Sequence, residues 1–583
     1  MSYRNDYTCN LGEIIPVYLQ DLIPNSSWRC STHGLVRFLP MIAPIMDNVD
    51  MYLHFWISPY RTLYGDDFTE TLTGEKEADE WPGIFFTPLN IAIELAESNL
   101  TADEVQYLVG DGGIFDMLGY DTTLFVYDEV NDDWDSSSNG KLNARKFCMY
   151  FRLLSNWYTN ENVDPLGDGA LSFFDLVKSF DKLDFLKDHQ DGDISSLIAT
   201  IIAGFYKEYS TAGFAPHAWP KDYGTSALPT LQYGLPTYLP LGDYAPVNIT
   251  GGSSNVSFND PKLIGIDQLA PGSSRSLAMQ NTSDTASYEA ALINDDSGNP
   301  ITAIQGEFLP KTSGGVMFTG QADLTEATAI TINELRITNA LQVFKEREIR
   351  YGRKAPEYYK GFFGVTPGDL RLQLPKFLGG GRLPVNISDV EQTSASQSGS
   401  AQGNLAGKGT AIAAGFAYAS AFAPEESFIM GVAWLMPKVT YARCLSRHDT
   451  KLNDRFDYYN PSFAHIGEQP VFNYEMYAGS YGSNLGNKEF GYQPRYTEYR
   501  FHFNEMHGEF KNNLSFWTLG RIYDSQPTLN NKFIYMQPKA LNRIFAVQTT
   551  TAGFIARNVL ASLKFNVSII QPLSRYGTPG LMP

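Results

Sequence analysis

Strict alternation of apolar and polar residues, found near both ends of the chain, constrains the possible folds more than any other feature. In 49–57 and in 562–569 every second residue is apolar, which predicts half-buried strands of an antiparallel sheet. The apolar positions are Val49, Met51, Leu53, Phe55, Ile57, Leu563, Phe565, Val567 and Ile569. A third strand, more apolar and more buried, is predicted over Phe428–Met436. Because strands near both ends need partners, we expect one sheet to join early and late segments, as jelly rolls do.

Helical patterns are fewer, and three segments carry them. Apolar residues recur at helical spacing in Lys146–Tyr158 and in 171–187, the latter within a helix-prone insertion over 161–215. A capping box that starts at Thr331 opens a third helix, which ends near Arg350. One side of this helix carries Leu335, Leu341 and Phe344. We expect all three helices to pack their apolar side chains in the core.

Two stretches rich in glycine and small polar residues interrupt these patterns. We interpret residues 248–328 as a surface insertion that leaves the core and returns to it near Thr331. Residues 379–410 begin with three glycines, Gly379–Gly381, and predict a long loop or arm. The glycines could cradle phosphate, but no P-loop lysine with serine or threonine follows them, so we interpret them as a flexible loop.

The balance of charge limits the partners of the chain. Of 583 residues, 44 are Lys or Arg and 64 are Asp or Glu, which gives a net charge of −20. So acidic a chain repels phosphate and is a poor general neutraliser of nucleic acid. The aromatic content of 14% favours β-structure, and the length permits one large β-domain with long insertions.

Three absences in the sequence bear on the compartment. The four cysteines lie far apart without a CxxC motif, so we expect neither a zinc knuckle nor a redox pair. No apolar core of a signal peptide follows Met1, and the apolar run 411–423 is too short to span a bilayer. We therefore expect assembly in a reducing cytoplasm, without membrane insertion.

No arrangement of side chains in the sequence predicts catalysis. His465 and Glu468 have a spacing that suits an acid–base pair on a helix, but eight scattered histidines make such a pair an expected coincidence. His502 and His507 flank Glu505 without the H-E-x-x-H arrangement, so structural histidines are the better interpretation. We expect no catalytic residue, no metal ligand and no cofactor.

Two pairs of adjacent carboxylates, Asp66-Asp67 and Asp132-Asp133, could hold a structural calcium ion at a seam between subunits. The spacing of an EF-hand is absent, and solvated turns explain the pairs better. Calcium therefore stays an open alternative.

Cationic and aromatic residues are mixed in Arg495, Tyr496, Tyr499 and Arg500. Aromatic rings that stack on unpaired bases, together with cations that contact phosphate, are the usual means of holding single-stranded DNA. These four residues are therefore the candidate nucleic-acid contacts. The alternative is structural, an aromatic ladder between strands with arginine paired to Glu498.

Two motifs of the chain resemble a family signature almost residue for residue. They are Phe463–Gln469, which reads FAHIGEQ, and Phe490–Arg500, which reads FGYQPRYTEYR. Both resemble the major capsid protein of the microviruses, small icosahedral phages with single-stranded DNA, in the gokushovirus branch. Further blocks that resemble this family follow in the same order: Leu239–Gly242, Ala245–Val247, Thr331–Arg336, Phe362–Pro367, Leu370–Gln373, Phe377–Gly380, Gln402–Gly407, Pro527–Asn530 and Pro579–Leu581.

The resemblance implies a structural protein without enzymatic activity. The implied fold is mainly β: one eight-stranded antiparallel viral jelly roll over 1–583, with long loop insertions and a few helices. Copies would assemble into a T=1 icosahedral shell around a circular single-stranded DNA genome. The insertion 248–328 would form a protrusion at the threefold axes that attaches to a host surface receptor.

A small basic DNA-packaging protein is a further implied partner, because the acidic chain leaves the charge of the genome to be offset. The resemblance also implies a component of the virion, assembled in the cytoplasm of a bacterial host.

Two other classes stay open on the residues alone. Acidic, aromatic-rich β proteins include glycan-binding and glycan-hydrolysing proteins, whose hydrolases place two carboxylates around the scissile bond. A secretion signal, expected for many of them, is not seen. A phage tail or fibre protein usually shows sequence repeats, and none is visible.

Overall fold

The structure is a computed structural model of the 583-residue chain. It describes residues 1–64, 84–125, 127–128, 133–134, 140–160, 162–163, 176–177, 193–232, 247–251, 262–263, 276–280, 287–291, 318–322, 332–351, 360–361, 374–391, 405–451 and 454–573. Backbone contacts divide the chain into two compact units, Met1–Tyr233 together with Glu346–Pro583, and Gly234–Lys345. The largest sheet and the candidate site both lie in the first unit.

Strands predominate in the described residues, and every ladder between them is antiparallel. In chain order they are β1 (Ser2–Cys9), β2 (Ile15–Leu22), β3 (Ser26–Phe38), β4 (Val49–Pro59), β5 (Phe85–Phe86), β6 (Tyr127–Asp128), β7 (Asp133–Trp134), β8 (Leu142–Asn143), β9 (Val247–Gly251), β10 (Lys262–Leu263), β11 (Ser276–Gln280), β12 (Ser287–Ala291), β13 (Phe318–Ala322), β14 (Lys376–Glu391), β15 (Leu405–Ala423), β16 (Ser427–Pro437), β17 (Glu468–Phe472), β18 (Glu489–Pro494) and β19 (Val559–Ile570).

Most helices of the described residues are short, and α5 continues into a π-helical turn at Leu154–Tyr158. The helices are α1 (Tyr60–Tyr64), α2 (Pro88–Glu97), α3 (Ala102–Val109), α4 (Ile114–Met117), α5 (Arg145–Leu153), α6 (Ser195–Tyr209), α7 (Ile332–Tyr351), α8 (Arg447–Thr450), α9 (Asn473–Met476), α10 (Asn531–Ile534) and α11 (Pro538–Leu541). The predicted mainly β class is therefore confirmed.

One eight-stranded antiparallel sheet organises the first unit, in the order β1–β19–β3–β15–β14–β4–β16–β2. The late strand β19 lies between two of the earliest strands, because Phe565 stands opposite both Tyr3 of β1 and Thr32 of β3. The prediction that one sheet joins early and late segments is confirmed. The three strands predicted from their apolar patterns are β4, β16 and β19.

The sheet curves back on itself over one core, because side chains from its two edges meet. The Tyr18 ring of β2 lies 5.0 Å from the Phe565 ring of β19 and 6.2 Å from the Tyr3 ring of β1. Trp28 of β3 is buried beside them and donates its indole N–H to the Tyr18 hydroxyl at 3.0 Å. Of these rings, those of Tyr18, Trp28 and Phe565 are buried, and full burial of a side chain of this kind contributes roughly 1.5–3 kcal/mol of transfer free energy.

The glycine-rich stretch 379–410 is not the predicted loop or arm, because its described residues lie in β14 and β15. A Cβ on Gly381 would collide with the Phe416 carbonyl oxygen, so glycine lets these two strands approach closely. Gly379, with φ +145°, lies at a register shift between β14 and β4. The prediction was wrong because glycine marks bulges and close approach of strands as well as loops. Residues 392–404 lie outside the described residues.

Two of the three predicted helices are confirmed in place, and one of these two is not buried as expected. α5 and its π-helical turn match Lys146–Tyr158, and α7 matches the helix after Thr331, whose capping box lies outside the described residues. The expectation that α7 buries Leu335, Leu341 and Phe344 is wrong, since they are 49%, 44% and 39% exposed. At about 100° per residue these side chains point in directions up to about 180° apart, so they form no single apolar stripe.

The two predicted insertions are only partly described. Of the helix predicted over 171–187, Leu176 and Val177 are described and helical, and α6 lies within the same insertion, 161–215. The described strands of 248–328 form two small antiparallel sheets, β10–β11–β12 and β13–β9. That this segment is a surface insertion stays a prediction.

The outer face of the large sheet is covered over one half. Beside β4 and β16, Trp157 of the π-helical turn lies 4.9 Å from Trp56, and His217 stacks on Trp434 at 4.4 Å between ring centroids. β16 is accordingly buried on both faces. On β3, β15 and β19 the outward side chains are exposed or half-buried.

Candidate nucleic-acid interface

The two signature motifs meet in one hairpin. β17 and β18 pair antiparallel, and a 3-10 turn, Thr497–Tyr499, follows β18. Tyr496 at the start of this turn has a left-handed backbone conformation, φ +64°, which costs roughly 1–2 kcal/mol for a residue with a Cβ. After this reversal Glu498 is buried, at 4% exposed, and Tyr499 is at the surface, at 48%.

The buried carboxylate of Glu498 holds this turn in place. Its Oε2 accepts a hydrogen bond of 2.6 Å from Gln469 Nε2, and its Oε1 lies 3.0 Å from Lys451 Nζ and 4.0 Å from Arg447 Nε. Burial raises the pKa of Glu498, but the hydrogen bonds from Gln469 and Lys451 outweigh burial and hold the pKa below its usual value. The carboxylate is therefore ionised at neutral pH, between two cations.

A second carboxylate, Glu475, continues this buried network. It is fully buried, accepts hydrogen bonds from the Tyr223 hydroxyl at 2.6 Å and from the Phe472 N–H at 2.9 Å, and lies 3.4 Å from Arg447 Nη1. Burial raises the pKa of Glu475, and the Arg447 guanidinium opposes that rise. Removal of one partner from such a buried pair costs about 3–5 kcal/mol, so Arg447 fixes the hairpin structurally.

Only part of the predicted nucleic-acid set reaches the surface. Tyr496 is 4% exposed and donates its hydroxyl to the Tyr458 carbonyl oxygen at 3.0 Å, so its ring is occupied inside the protein. Arg495 is half-buried, whereas Tyr499 and Arg500 are exposed. Of the four candidates, the structure therefore leaves Tyr499 and Arg500 best placed to meet a nucleic acid.

The aromatic rings of this region form a cluster between loops rather than a ladder across strands. The Tyr496 ring meets Tyr459 edge-on at 5.3 Å and Tyr499 at 6.2 Å. The His448 ring meets Tyr499 edge-on at 5.0 Å. The cluster packs the turn after β18 against the segment that follows α8.

Two cations, Arg447 and Lys451, pair with Glu498, and sequence reasoning missed both. They lie about one turn apart at α8, roughly 50 residues before the carboxylate, and nothing local in the sequence connects them to it. Lys451 Nζ also lies 4.0 Å from the centre of the Tyr499 ring. The sequence shows two cations four residues apart, but this spacing alone does not indicate which carboxylate they pair with.

The histidines considered for catalysis do not form a site. His465 is exposed in the turn before β17, whereas the Glu468 side chain is buried and paired with Arg350. His507 Nε2 lies 3.2 Å from Glu505 Oε2, with both side chains exposed. Within the described ranges, no group of three or more His, Cys, Asp or Glu side chains could hold a metal ion.

The carboxylate pairs considered for calcium are mostly beyond the described part of the chain. Asp66, Asp67 and Asp132 lie outside the described residues, and Asp133 begins β7. Calcium at a seam between subunits stays a prediction. All four cysteines are free; Cys9, Cys30 and Cys148 are buried and Cys444 is half-buried.

The buried, mutually paired charges of the signature hairpin hold its turn in place. Comparison with known proteins gives the class of the protein. The chain matches the model of the family described as capsid protein (F protein) over residues 1–166 and 191–581. The chain therefore belongs to the phage capsid protein (F protein) family.

Curated relatives support the same family over the whole length of the chain. Capsid protein VP1 of Chlamydia phage 1 is 28% identical, over 98% of this chain and 94% of the relative. Capsid protein VP1 of Bdellovibrio phage phiMH2K is 26% identical, over 99% and 94%, and that of Spiroplasma virus 4 is 27% identical, over 98% and 93%. The resemblance to microvirus major capsid proteins is thus confirmed.

The chain is a structural major capsid protein and a component of the virion, not an enzyme. The comparisons give no support to the glycan-binding or glycan-hydrolysing alternative. Across the described helices, none combines the length and the apolar content needed to cross a bilayer.

Proposed function

We propose that copies of this chain assemble into a T=1 icosahedral shell that encloses a circular single-stranded DNA genome. The observation that carries the proposal is the large sheet, whose late strand β19 lies between β1 and β3 in a chain matched nearly end to end by a phage capsid family. In this proposal the eight strands form a viral jelly roll, closed by the contact of Tyr18 with Phe565.

Icosahedral assembly needs several different contacts between copies, because twofold, threefold and fivefold axes each require their own interface. Each stable interface buries on the order of 1,000 Å² or more. The signature hairpin region leaves Tyr459 and Ile466 60% and 55% exposed. Large apolar side chains left exposed on one subunit suit a contact with the next, which supports this region as part of an interface.

The acidity of the chain supports a second component in the particle. With a net charge of −20, the shell protein does not neutralise a polyanionic genome. A small basic DNA-packaging protein would supply the missing positive charge inside the shell. Exposed Tyr499 and Arg500 are the proposed direct contacts of the signature hairpin with unpaired DNA.

The segment 248–328 is the proposed protrusion at the threefold axes, used in attachment to a receptor on the bacterial host. Its support is its composition, rich in Ser, Thr, Gly and Asn, and its location in a compact unit, Gly234–Lys345, separate from the large sheet. A copy lacking 248–328 is expected to fold, but to form fewer particles or to lose host attachment. If that copy cannot fold, the segment belongs to the core and this part of the proposal is wrong.

Negative-stain electron microscopy of the purified protein tests the shell directly. The protein is expressed alone and together with the small basic partner, in the bacterial cytoplasm. Uniform icosahedral particles are the expected result, because the interfaces reside in this chain. Dispersed monomers under every assembly condition, with the partner present, would contradict the proposal of a self-assembling shell.

A further inference from the structure

One face of the large sheet carries positive charge although the whole chain is acidic. The strands β1, β19, β3 and β15 contain five cationic side chains and one acidic side chain, and all six are exposed on the outer face. The cations are Arg4, Arg29, Arg37, Lys408 and Lys564. The acid is Asp6, whose Oδ2 lies 2.7 Å from Arg4 Nη2 and is therefore already paired. This cationic face stands out against a net charge of −20.

A pocket of about 490 Å³ opens at one end of the cationic face, where β3, β14 and β16 begin and β4 and β15 end. Arg29 and Lys376 line this pocket together with Phe422, whose side chain is 60% exposed. Glu425 also lines it, but its two carboxylate oxygens accept from Arg61 at 3.1 and 3.2 Å. The negative charge of Glu425 is therefore paired with Arg61.

The two cations of the pocket keep their charge available. Among the described residues, neither Arg29 nor Lys376 has a carboxylate within ion-pair distance, and both side chains are exposed. Both stand beside Phe422 on one concave surface whose volume is within the range of ligand sites, roughly 300–1,000 Å³. Cations and an aromatic ring on one groove are the combination that binds single-stranded nucleic acid.

We propose that this pocket, with the cationic face that leads into it, binds single-stranded DNA. Arg29 and Lys376 contact phosphate, and Phe422 stacks on an unpaired base. The inference rests on the proposed function, because it requires a shell that encloses single-stranded DNA. It adds that this end of the sheet faces the interior of the shell.

Charge decides between nucleic acid and other occupants of the pocket. A polyanion complements Arg29, Lys376 and the cations of the adjoining strands, whereas a small basic protein would be repelled by them. A second copy of this acidic chain is the rival occupant. Exposed side chains of β15, among them Ile412, Tyr418 and Phe422, would suit such a copy, so the positive charge is what favours nucleic acid, and the electron microscopy below separates the two occupants.

The test is the binding of a fluorescein-labelled oligothymidylate of about 20 nucleotides to the full-length protein, followed by fluorescence anisotropy at several salt concentrations. The double variant R29Q/K376Q is expected to bind at least about tenfold more weakly. The slope of the logarithm of its binding constant against the logarithm of the salt concentration should become less steep by about 0.7 for each lost phosphate contact. F422L should bind at least about fivefold more weakly, with the same slope of affinity against salt, because only stacking is removed.

A matched control removes two exposed lysines elsewhere, K438Q/K539Q. Lys438 follows the far end of β16, about 35 Å along the strand from the pocket. This control should bind like the unaltered protein. Equal weakening by the control and by R29Q/K376Q would mean general electrostatics, and would overturn the pocket. Absence of oligonucleotide binding by the unaltered protein would overturn it as well.

Electron microscopy of the same proteins separates this inference from the proposed shell. Particles from R29Q/K376Q that form normally, with a reduced ratio of absorbance at 260 to 280 nm, are the expected outcome. If the double variant instead stops assembly while oligonucleotide binding is unchanged, the pocket is a contact between copies and the inference is wrong. If the unaltered protein forms no particles, the shell proposal fails, whatever the oligonucleotide result. Circular dichroism checks that each variant is folded.

Discussion

The two halves of the large sheet differ in what covers their outer faces. Over β4 and β16 the outer face is buried beneath an aromatic and histidine layer, in which the Trp434 ring stacks on His217 at 4.4 Å and meets His54 edge-on at 4.7 Å. Over β3, β15 and β19 it is exposed and cationic, with Arg29 and Lys564 at the surface. The inner faces of both halves line the same core.

The difference shows what alternation in a sequence does and does not say. In β4 the positions between the apolar residues hold Tyr52, His54 and Trp56, whose rings can be buried once their polar atoms are paired. The corresponding positions of β19 hold Lys564 and Asn566, which favour water. Both patterns predict a strand, and the chemistry of the outward residues indicates which strand receives a second layer.

The largest expected effect comes from removal of the ring at the centre of the covered half. Trp434→Ala should lower the free energy of unfolding by about 3–5 kcal/mol, because Trp434 is 3% exposed and lies between the rings of Tyr52 and His217. Tyr418→Ala on the exposed half should change it by less than about 1 kcal/mol. Denaturant unfolding of both variants measures the contrast, and equal losses would break it.

The covered half should also respond to acid. Burial lowers the pKa of His217 to about 4, and burial likewise lowers the pKa of His54 to about 4. Unfolded histidine has a pKa near 6.5, so the unfolded chain binds protons first as the pH falls, and stability is lost from pH 6.5 down to about 4. His217→Gln should remove on the order of 2 kcal/mol of the loss between pH 7 and 4.5.

The control for acid sensitivity is His465→Gln, because His465 is exposed in a turn. Unfolding free energies at pH 7 and 4.5 are compared for the two variants and the unaltered protein. A loss of stability in His217→Gln as large as that of the unaltered protein would show that this histidine does not carry the acid response.

The seam between the two halves is β14, which pairs with β15 on one side and β4 on the other. Gly381→Ala should destabilise the protein by about 2 kcal/mol, because the new Cβ would press on the Phe416 carbonyl oxygen. Gly140→Ala is the matched control, since open space surrounds that glycine. If Gly381→Ala and the control have equal melting temperatures, β14 and β15 do not approach as closely at Gly381 as the structure shows.

The smallest effect on stability is expected from the exposed half. R29Q/K376Q should change the free energy of unfolding by less than about 0.5 kcal/mol, because both side chains are exposed and have no carboxylate partner among the described residues. Denaturant unfolding measures this change. A loss above about 1 kcal/mol would mean that these cations support the fold, and the contrast between the halves would weaken.

Three of the eight strands of the large sheet, β4, β16 and β19, were predictable because their signal is local. The alternation in 49–57 and 562–569 fixed both the elements and their inner faces, and the apolar run at Phe428–Met436 marked the doubly buried strand. The glycines of 379–410 misled, because the sequence does not show that a carbonyl of the neighbouring strand occupies the space of a Cβ at Gly381.

The candidate site was only partly predictable because its contacts are distant in sequence. Nothing in the spacing of Tyr496 and Tyr499 tells which ring is buried, since the left-handed backbone of Tyr496 decides it. Lys451 and Arg447 reach Glu498 from α8 and the residue after it, and only the fold brings them together. The family, in contrast, was recognisable from the motifs themselves, because their order along the chain does not depend on the fold.

The location of β19 between β1 and β3 also sets when the protein can mature. At about 5–20 residues per second, the ribosome needs roughly half a minute to two minutes between the first strand and β19. Throughout that interval the edge of β3 that will receive β19 has no partner from its own chain, and an open edge invites the strand of a neighbour. Completion of the sheet therefore has to follow synthesis of residue 570, so that each copy becomes competent for assembly only after β19 has been made.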